Sequence, residues 1–120
     1  SDLMVAEDLP LIAMDAPLLS AVDLMTENRG IILAVDNRGN LAGVFVYGDL
    51  GRLIKRGADP AKVKVSEVMT AAPETCSPGE PVSLAVQKME QRGITSIVAV
   101  NRRNEPAGIL YLHDALVLGF

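Results

Sequence analysis

Two aspartates close matching segments of the chain, and their side chains are the strongest candidates for chemistry. Asp49 ends the segment GVFVYGD, and Asp114 ends the segment GILYLHD. An ionised carboxylate only accepts hydrogen bonds, so it suits the paired hydroxyls of a sugar. The same carboxylate can instead cap the start of the helix that follows it. The residues alone leave both roles open.

A cluster of basic residues follows the first of these aspartates. Arg52, Lys55 and Arg56 have the spacing of neighbours on one helix face, in a chain with a net charge of −4. Such a cluster usually forms a solvated helix face. Alternatively, Arg52, one turn after Asp49, contacts an anionic ligand or another domain, because a guanidinium binds phosphate and carboxylate groups well.

The other candidates are isolated side chains. His113 is the only histidine, and a single histidine builds neither a metal site nor a catalytic triad; it packs at a turn or contacts a ligand. Thr70, Thr95 and Ser96 carry hydroxyls at predicted strand ends, where local hydrogen bonding is the ordinary role. Cys76, the only cysteine, is predicted to be a buried apolar thiol.

Familiar catalytic patterns are absent from the sequence. It contains no GxxxxGK[ST] phosphate loop, no HExxH, no CxxC and no GxSxG. An acid–base pair formed by Asp49 and Asp114 is disfavoured, because equivalent positions share similar environments whereas acid–base catalysis needs different ones. We therefore predict no catalytic residue, no metal site and no enzymatic activity for this stretch of chain.

Both aspartate segments belong to an internal repeat. Residues 17–56 align with 81–119; Pro17 and Pro81 are 64 positions apart, whereas Asp49 and Asp114 are 65 apart. One single-residue slip therefore separates the copies. Each copy predicts an amphipathic helix, two β-rich runs joined by a polar turn and a last helix that starts at the aspartate. The predicted bounds are strands at 31–35, 41–47, 95–100 and 107–112, last helices at 49–56 and 114–118, and short leading strands near 11–14 and 74–76. Expected caps of the first helices are Asp15, and Ser77 with Glu80.

These elements predict an α+β fold of two βαββα repeats, residues 1–64 and 65–120, related by a pseudo-twofold axis. The strand runs are apolar almost throughout, which indicates that both faces of each sheet are covered. Neither half alone could bury its aliphatic sheet face, so we expect the halves to pack as one unit.

Composition excludes several classes of protein. Of the 120 residues, 49% are apolar but only 3% aromatic, so the core must be aliphatic. The acidic charge argues against nucleic acid binding, and no apolar run approaches the roughly 18 residues of a membrane span. A single cysteine and the lack of a signal-like start favour the cytoplasm. A first residue other than Met suggests a piece of a longer protein.

In these features the sequence resembles the cystathionine β-synthase (CBS) domain pair, or Bateman module. The resemblance rests on the duplicated unit, on the pattern Gly-x-x-x-x-x-Asp at the end of each copy, and on the linker VSEVMT. The stretches YGDLGRLIKRG, MEQRGITSIVAV and ILYLHDAL are similar, more narrowly, to the C-terminal CBS pair of arabinose 5-phosphate isomerase-type sugar-phosphate isomerases.

The resemblance implies a regulatory role. An adenosine nucleotide or sugar nucleotide would bind between the repeats and modulate an attached catalytic domain, with Asp49 and Asp114 accepting hydrogen bonds from ribose hydroxyls. It further implies that Thr70, Thr95 and Ser96 lie near a cleft, that no cofactor is required, and that the module forms a homodimer.

One departure from the family pattern supports a rival hypothesis. Members that bind nucleotides usually carry Thr or Ser three residues before the aspartate, where this chain has Val46 and Tyr111. The module would then be an oligomerisation scaffold with degenerate ligand sites.

Overall fold

A computed structural model describes residues 3–120 of the chain, and these residues form two units. The first unit is Pro10–Pro73; the second joins residues 3–9 with Glu74–Phe120. Residues 65–73 therefore lie with the first repeat, although the repeat boundary assigns them to the second. The boundaries 1–64 and 65–120 stay a prediction about the repeat.

The first unit is built on a four-stranded sheet in the order β1-β2-β3-β4. Strand β1 runs parallel to β2, and the other neighbours are antiparallel. Its elements are β1 (Leu11–Ala13), a 3₁₀ turn (Leu18–Ala21), α1 (Val22–Glu27), β2 (Ile31–Val35), β3 (Leu41–Val46), α2 (Tyr47–Lys55), α3 (Val65–Val68) and β4 (Thr70–Ala71).

The second unit is built on a three-stranded sheet in the order β5-β6-β7. Strand β5 runs parallel to β6, and β6 is antiparallel to β7. Val5 adds an isolated antiparallel bridge to Ile109 of β7. The elements are β5 (Thr75–Cys76), α4 (Val82–Arg92), β6 (Ser96–Val100), β7 (Pro106–Tyr111) and α5 (Leu112–Val117). The α+β class is confirmed, and the predicted strands agree with the observed ones to within about a residue.

The two hairpins share one register. Ile31 faces Val46 and Ser96 faces Tyr111, and each hairpin has an irregularity before its last β2 or β6 residue. In the leading strands, Ile12 faces Ala34 and Cys76 faces Ala99. Ile12 and Cys76 are 64 positions apart, whereas the residues that they face are 65 apart. The slip therefore falls between the leading strand and the hairpin, where α4 ends at a left-handed Gly93 that suits glycine.

Four predictions about helix starts are wrong. The first helical segment begins after Pro17 and α4 begins after Pro81, and neither has a side-chain cap; Asp15 and Ser77 are therefore not caps. Proline suits these positions because Pro17 and Pro81 have φ values of −60° and −56°, which are close to the value that the proline ring fixes. The last helices begin two residues before the aspartates, at Tyr47 and Leu112.

Each unit has its own aliphatic core. Phe45 is the largest fully buried side chain in the first unit, and it packs with residues of the 3₁₀ turn, α1, β2 and α2. In the second unit, Cys76 and Leu110 belong to a cluster with residues of α4, β6 and α5. Across residues 3–120, no helix combines the length and the apolar character needed to cross a membrane.

Candidate functional site

The start of α2 fixes the first aspartate. Strand β3 runs into α2 without a loop, and Asp49 is the third residue of that helix. Its Oδ2 accepts a hydrogen bond from the backbone N–H of Val46 at 3.0 Å. Its Oδ1 accepts from Nη2 of Arg52 at 2.5 Å. Asp49 is therefore a capping residue from inside the helix, and the capping interpretation is confirmed for it.

Arg52 and Asp49 also line a cleft of about 350 Å³ in the first unit. This volume lies within the usual range of small-molecule sites. The cleft has an apolar part formed by Phe45, Leu53 and Val68, and a charged part formed by Asp49, Arg52, Lys55 and Arg56.

Positive charge dominates the cleft. Arg52 pairs with Asp49, whereas neither Lys55 nor Arg56 has an ion-pair partner among residues 3–120. Three cations against one carboxylate favour an anionic group, in a chain that is acidic overall.

The end of the linker VSEVMT (residues 65–70) packs against Gly43, the glycine that opens the first aspartate segment. Thr70 is exposed and faces Val44, next to Gly43. A Cβ on Gly43 would lie 2.5 Å from Met69 Sδ and 2.8 Å from the carbonyl oxygen of Thr70. Glycine is therefore required because the edge strand approaches too closely for any side chain. Thr70 itself lies on this edge and is not among the residues that line the cleft.

Gly108 has the same role in the second unit. A Cβ there would lie 2.5 Å from Met4 Cγ and 3.1 Å from the carbonyl oxygen of Val5. Residues 3–6 read LMVA and residues 68–71 read VMTA, 65 positions apart. The repeat thus extends into both preceding segments, and this similarity is the signal that would have located the two edges from sequence.

The start of α5 gathers four of the predicted site residues. The N–H of Leu112 donates to the carbonyl oxygen of Thr95 at 2.9 Å, and Ser96 faces the last residue of β7. His113 and Asp114 follow as the second and third residues of α5. Thr95 and His113 are exposed, whereas Ser96 and Asp114 are half-buried. This end of the second unit therefore combines hydroxyl, imidazole and carboxylate groups.

The equivalent end of the first unit lacks the hydroxyls. The N–H of Tyr47 donates to the carbonyl oxygen of Gly30 at 3.0 Å, so Gly30 and Ile31 occupy the places of Thr95 and Ser96. Gly30 has a φ of +81°, and the Tyr47 ring covers the position of a Cβ. Asp49, Arg52 and Thr70 thus belong to one unit, and Thr95, Ser96, His113 and Asp114 belong to the other.

Cys76 is a buried thiol, as predicted. Burial raises its pKa above the ordinary thiol value, the Glu80 carboxylate adds to the rise, and the Lys88 ammonium opposes it. Lys88 Nζ lies 3.0 Å from Glu80 Oε1 and donates to the carbonyl oxygen of Thr75 at 3.2 Å. A protonated, buried thiol is a poor nucleophile and a poor metal ligand. Within the described part of the chain, no group of three or more acidic, His or Cys side chains could hold a metal ion.

The CBS domain family matches this chain over residues 1–56 and 65–118. These two matches cover both repeats and both aspartates. The chain belongs to the CBS domain family. As a CBS domain pair, it contains the two aspartates at corresponding positions of its two repeats.

Several similar proteins are arabinose 5-phosphate isomerases. The chain is 34% identical to isomerase KdsD of Pseudomonas aeruginosa over 116 residues, which is 96% of this chain and 36% of the relative. It is 24% identical to isomerase KpsF of Escherichia coli over 108 residues, 89% of this chain and 33% of the relative. The CBS pair thus spans about a third of the length of these relatives.

Solved CBS structures share the fold. The CBS domain pair of protein MJ0100, in complex with 5′-methylthioadenosine and S-adenosyl-L-methionine, is 20% identical with a TM-score of 0.85, covering 98% of this chain and 95% of that one. A CBS domain protein of Pyrobaculum aerophilum, complexed with AMP, is 21% identical with a TM-score of 0.82, covering 92% and 88%. At these identities the comparison establishes the fold alone.

Proposed function

We propose that this CBS pair is a regulatory module that binds an adenosine nucleotide or a sugar nucleotide and thereby modulates an attached sugar-phosphate isomerase domain. One observation carries the proposal: in both units a strand leads directly into a helix whose third residue is an aspartate. The adenosine ligands of two structural neighbours and the isomerase relatives support the choice of ligand and parent.

The aspartates would hold the ribose. Val46 and Arg52 each donate to one carboxylate oxygen of Asp49, and the sugar hydroxyls would take the place of Arg52 as donors to that carboxylate. Asp114 would bind a second ligand with the help of Thr95, Ser96 and His113. Arg52 would contact the ligand's anionic group, and Thr70 would contribute a hydroxyl from the neighbouring edge.

Regulation requires that the ligand bind one arrangement of the full-length protein more tightly than another. A difference of a few kcal/mol in binding free energy is enough to shift the populations of two states. The partners of the module would be its attached catalytic domain and a second copy in a homodimer, and the location would be the cytoplasm. Neither nucleic acid nor a membrane would be a partner, and this stretch would have no activity of its own.

A thermal-shift panel tests the ligand-binding proposal. The compounds are AMP, ATP, S-adenosyl-L-methionine and nucleotide sugars with uridine and cytidine bases, each at a saturating concentration. At 100 times Kd, a ligand stabilises the folded state by about 2.7 kcal/mol, so at least one compound should raise Tm by several degrees. If none shifts the Tm of folded protein, the ligand-sensing role is wrong.

A second candidate function is oligomerisation without a ligand. Leu116, Val117, Leu118 and Phe120 leave 49–69% of their surface exposed at the end of the second unit, a contiguous apolar stretch of the kind found at interfaces. Sedimentation distinguishes the candidates: a scaffold would remain a dimer with or without nucleotides and after Asp114→Ala. A dimer that forms only with a nucleotide would contradict the scaffold.

A further inference from the structure

The ion pair between Arg52 and Asp49 occupies the group that a ribose would need. One carboxylate oxygen of Asp49 accepts from the Val46 N–H, and the other accepts from the guanidinium of Arg52. A ligand that approaches Asp49 from the cleft therefore meets Arg52, which lines the cleft beside it.

We propose that Arg52 makes the Asp49 site selective for anionic ligands over uncharged ones. This inference rests on the proposed function. Its guanidinium shields the carboxylate until the phosphate of a ligand draws it away, and the sugar hydroxyls then replace it on Asp49.

The exposure of the pair makes this exchange feasible. The Arg52 side chain is 69% exposed, whereas that of Asp49 is 21% exposed. An ion pair with one partner so accessible to water stabilises the fold only weakly, so a second anion can compete for the arginine. A guanidinium binds phosphate through two parallel hydrogen bonds, which compensates for the lost contact with Asp49.

An uncharged nucleoside lacks this compensation. Its hydroxyls must displace the guanidinium from Asp49 and give it no new acceptor. Lys55 and Arg56 increase the contrast, because both line the cleft and attract an anion without assisting a neutral ligand.

The second unit provides an internal comparison. Val117 lies 65 positions after Arg52, one turn after Asp114, and an aliphatic side chain forms no ion pair. Val117 is 69% exposed, so an arginine fits there. Val117→Arg places a guanidinium one turn after Asp114 and should raise the preference of that end for AMP over adenosine.

Calorimetry with two matched pairs of probes tests the inference. AMP with adenosine, and ribose 5-phosphate with ribose, differ only by the phosphate. The titrations use the 120-residue chain with Asp114→Asn, so that binding reports on the Asp49 end. We expect Arg52→Ala to weaken binding of AMP by about tenfold and to strengthen binding of adenosine by about two- to fivefold.

Two further variants separate selectivity from general charge. Lys62→Ala removes an exposed cation of the same unit that does not line the cleft. The ratio of AMP affinity to adenosine affinity should stay within about twofold of its value in the Asp114→Asn chain. Arg52→Lys keeps the charge but loses the planar guanidinium. Its ratio of AMP affinity to adenosine affinity should lie between the ratio of the Asp114→Asn chain and that of the same chain with Arg52→Ala. Circular dichroism confirms that each variant is folded.

The outcomes distinguish this inference from the proposed function. If AMP binds and Arg52→Ala changes both affinities in the same direction or leaves their ratio unchanged, the selectivity role of Arg52 is wrong while the ligand-sensing role survives. If neither AMP nor ribose 5-phosphate binds the parent, both the ligand-sensing role at Asp49 and the selectivity role of Arg52 are contradicted.

Discussion

The first and second units share the backbone of their hairpins and differ in the side chains at the end where the last helix begins. Both hairpins have the same register and the same irregularity. In the first unit that end carries Gly30 and Arg52, whereas in the second it carries Thr95 and Val117. Packing of the sheet fixes the backbone in both copies, while the side chains beside the last helix differ between them.

The cores differ in a second respect. Lys88 and Glu80 form a half-buried ion pair in the second unit, and Leu24 and Ala16 occupy the equivalent positions in the first unit. Leu24 packs against the first core. The same fold therefore tolerates either a polar or an apolar contact beside the first helix of the repeat.

The largest expected effect comes from the glycines at the sheet edges. We expect Gly43→Ala to lower the free energy of unfolding by about 3 kcal/mol and Gly108→Ala by about 2 kcal/mol, because overfilling a tight contact shifts the backbone. Gly43 is the more sensitive, since its added Cβ would lie 2.8 Å from a backbone oxygen, against 3.1 Å at Gly108. Urea unfolding measures both.

Gly51→Ala is the matched control. Gly51 lies in α2 with no atom within 4 Å of an added Cβ, so alanine should stabilise the chain by up to about 1 kcal/mol through helix propensity. Equal losses for Gly51 and Gly43 would show that the edge contact is not the cause.

The ion pair beside α4 gives the next largest effect. Lys88→Leu leaves the Glu80 carboxylate half-buried without its cation and should lower the free energy of unfolding by about 2 kcal/mol. The double variant Glu80→Ala with Lys88→Leu copies the first unit and should recover at least about 1 kcal/mol. If the losses of the single variants Lys88→Leu and Glu80→Ala add up to the loss of the double variant, the two residues are not coupled. Thermal and urea unfolding of the wild type, the two single variants and the double variant measure this.

A smaller effect concerns the thiol of Cys76. Because its pKa is raised, the folded state keeps the proton at pH values where the unfolded thiol loses it. The stability that Cys76 contributes is therefore present below the ordinary thiol pKa and is lost as pH rises toward the raised value. Iodoacetamide at pH 8 should modify the native protein at least about tenfold more slowly than the urea-unfolded protein. Equal rates would contradict the burial.

Much of the fold follows from sequence because each copy of the repeat supports the other. The β-rich runs at 31–35 and 95–100 predict the central strands, and the shared aspartates locate the helices after them. The helix starts were misplaced, because a strand that turns directly into a helix leaves no loop residues to mark the boundary. Asp49 caps α2 from the third residue of the helix. In the sequence, an aspartate at this position looks the same as one at the N-cap, just before the helix.

The edges and the cleft were harder to predict. Thr70 pairs with β3 and Val5 pairs with β7, and in each case the two paired residues are far apart in the sequence. Hydrophobic periodicity reports only on residues that are near each other in the sequence. The pairing of Arg52 with Asp49 depends on a flexible side chain. Its spacing made the contact possible, but only the structure shows which carboxylate it meets.

The most direct test of the account is the effect of Asp49→Asn and Asp114→Asn on calorimetric binding of AMP. Each amide keeps an acceptor oxygen but removes the charge, so the chain should stay folded. A charge-assisted hydrogen bond contributes about 1.5–3 kcal/mol, and each substitution should therefore weaken binding at its own unit by about tenfold or more. If the wild-type chain binds AMP and both variants retain that affinity, the aspartates do not hold the ligand, and the central claim is contradicted.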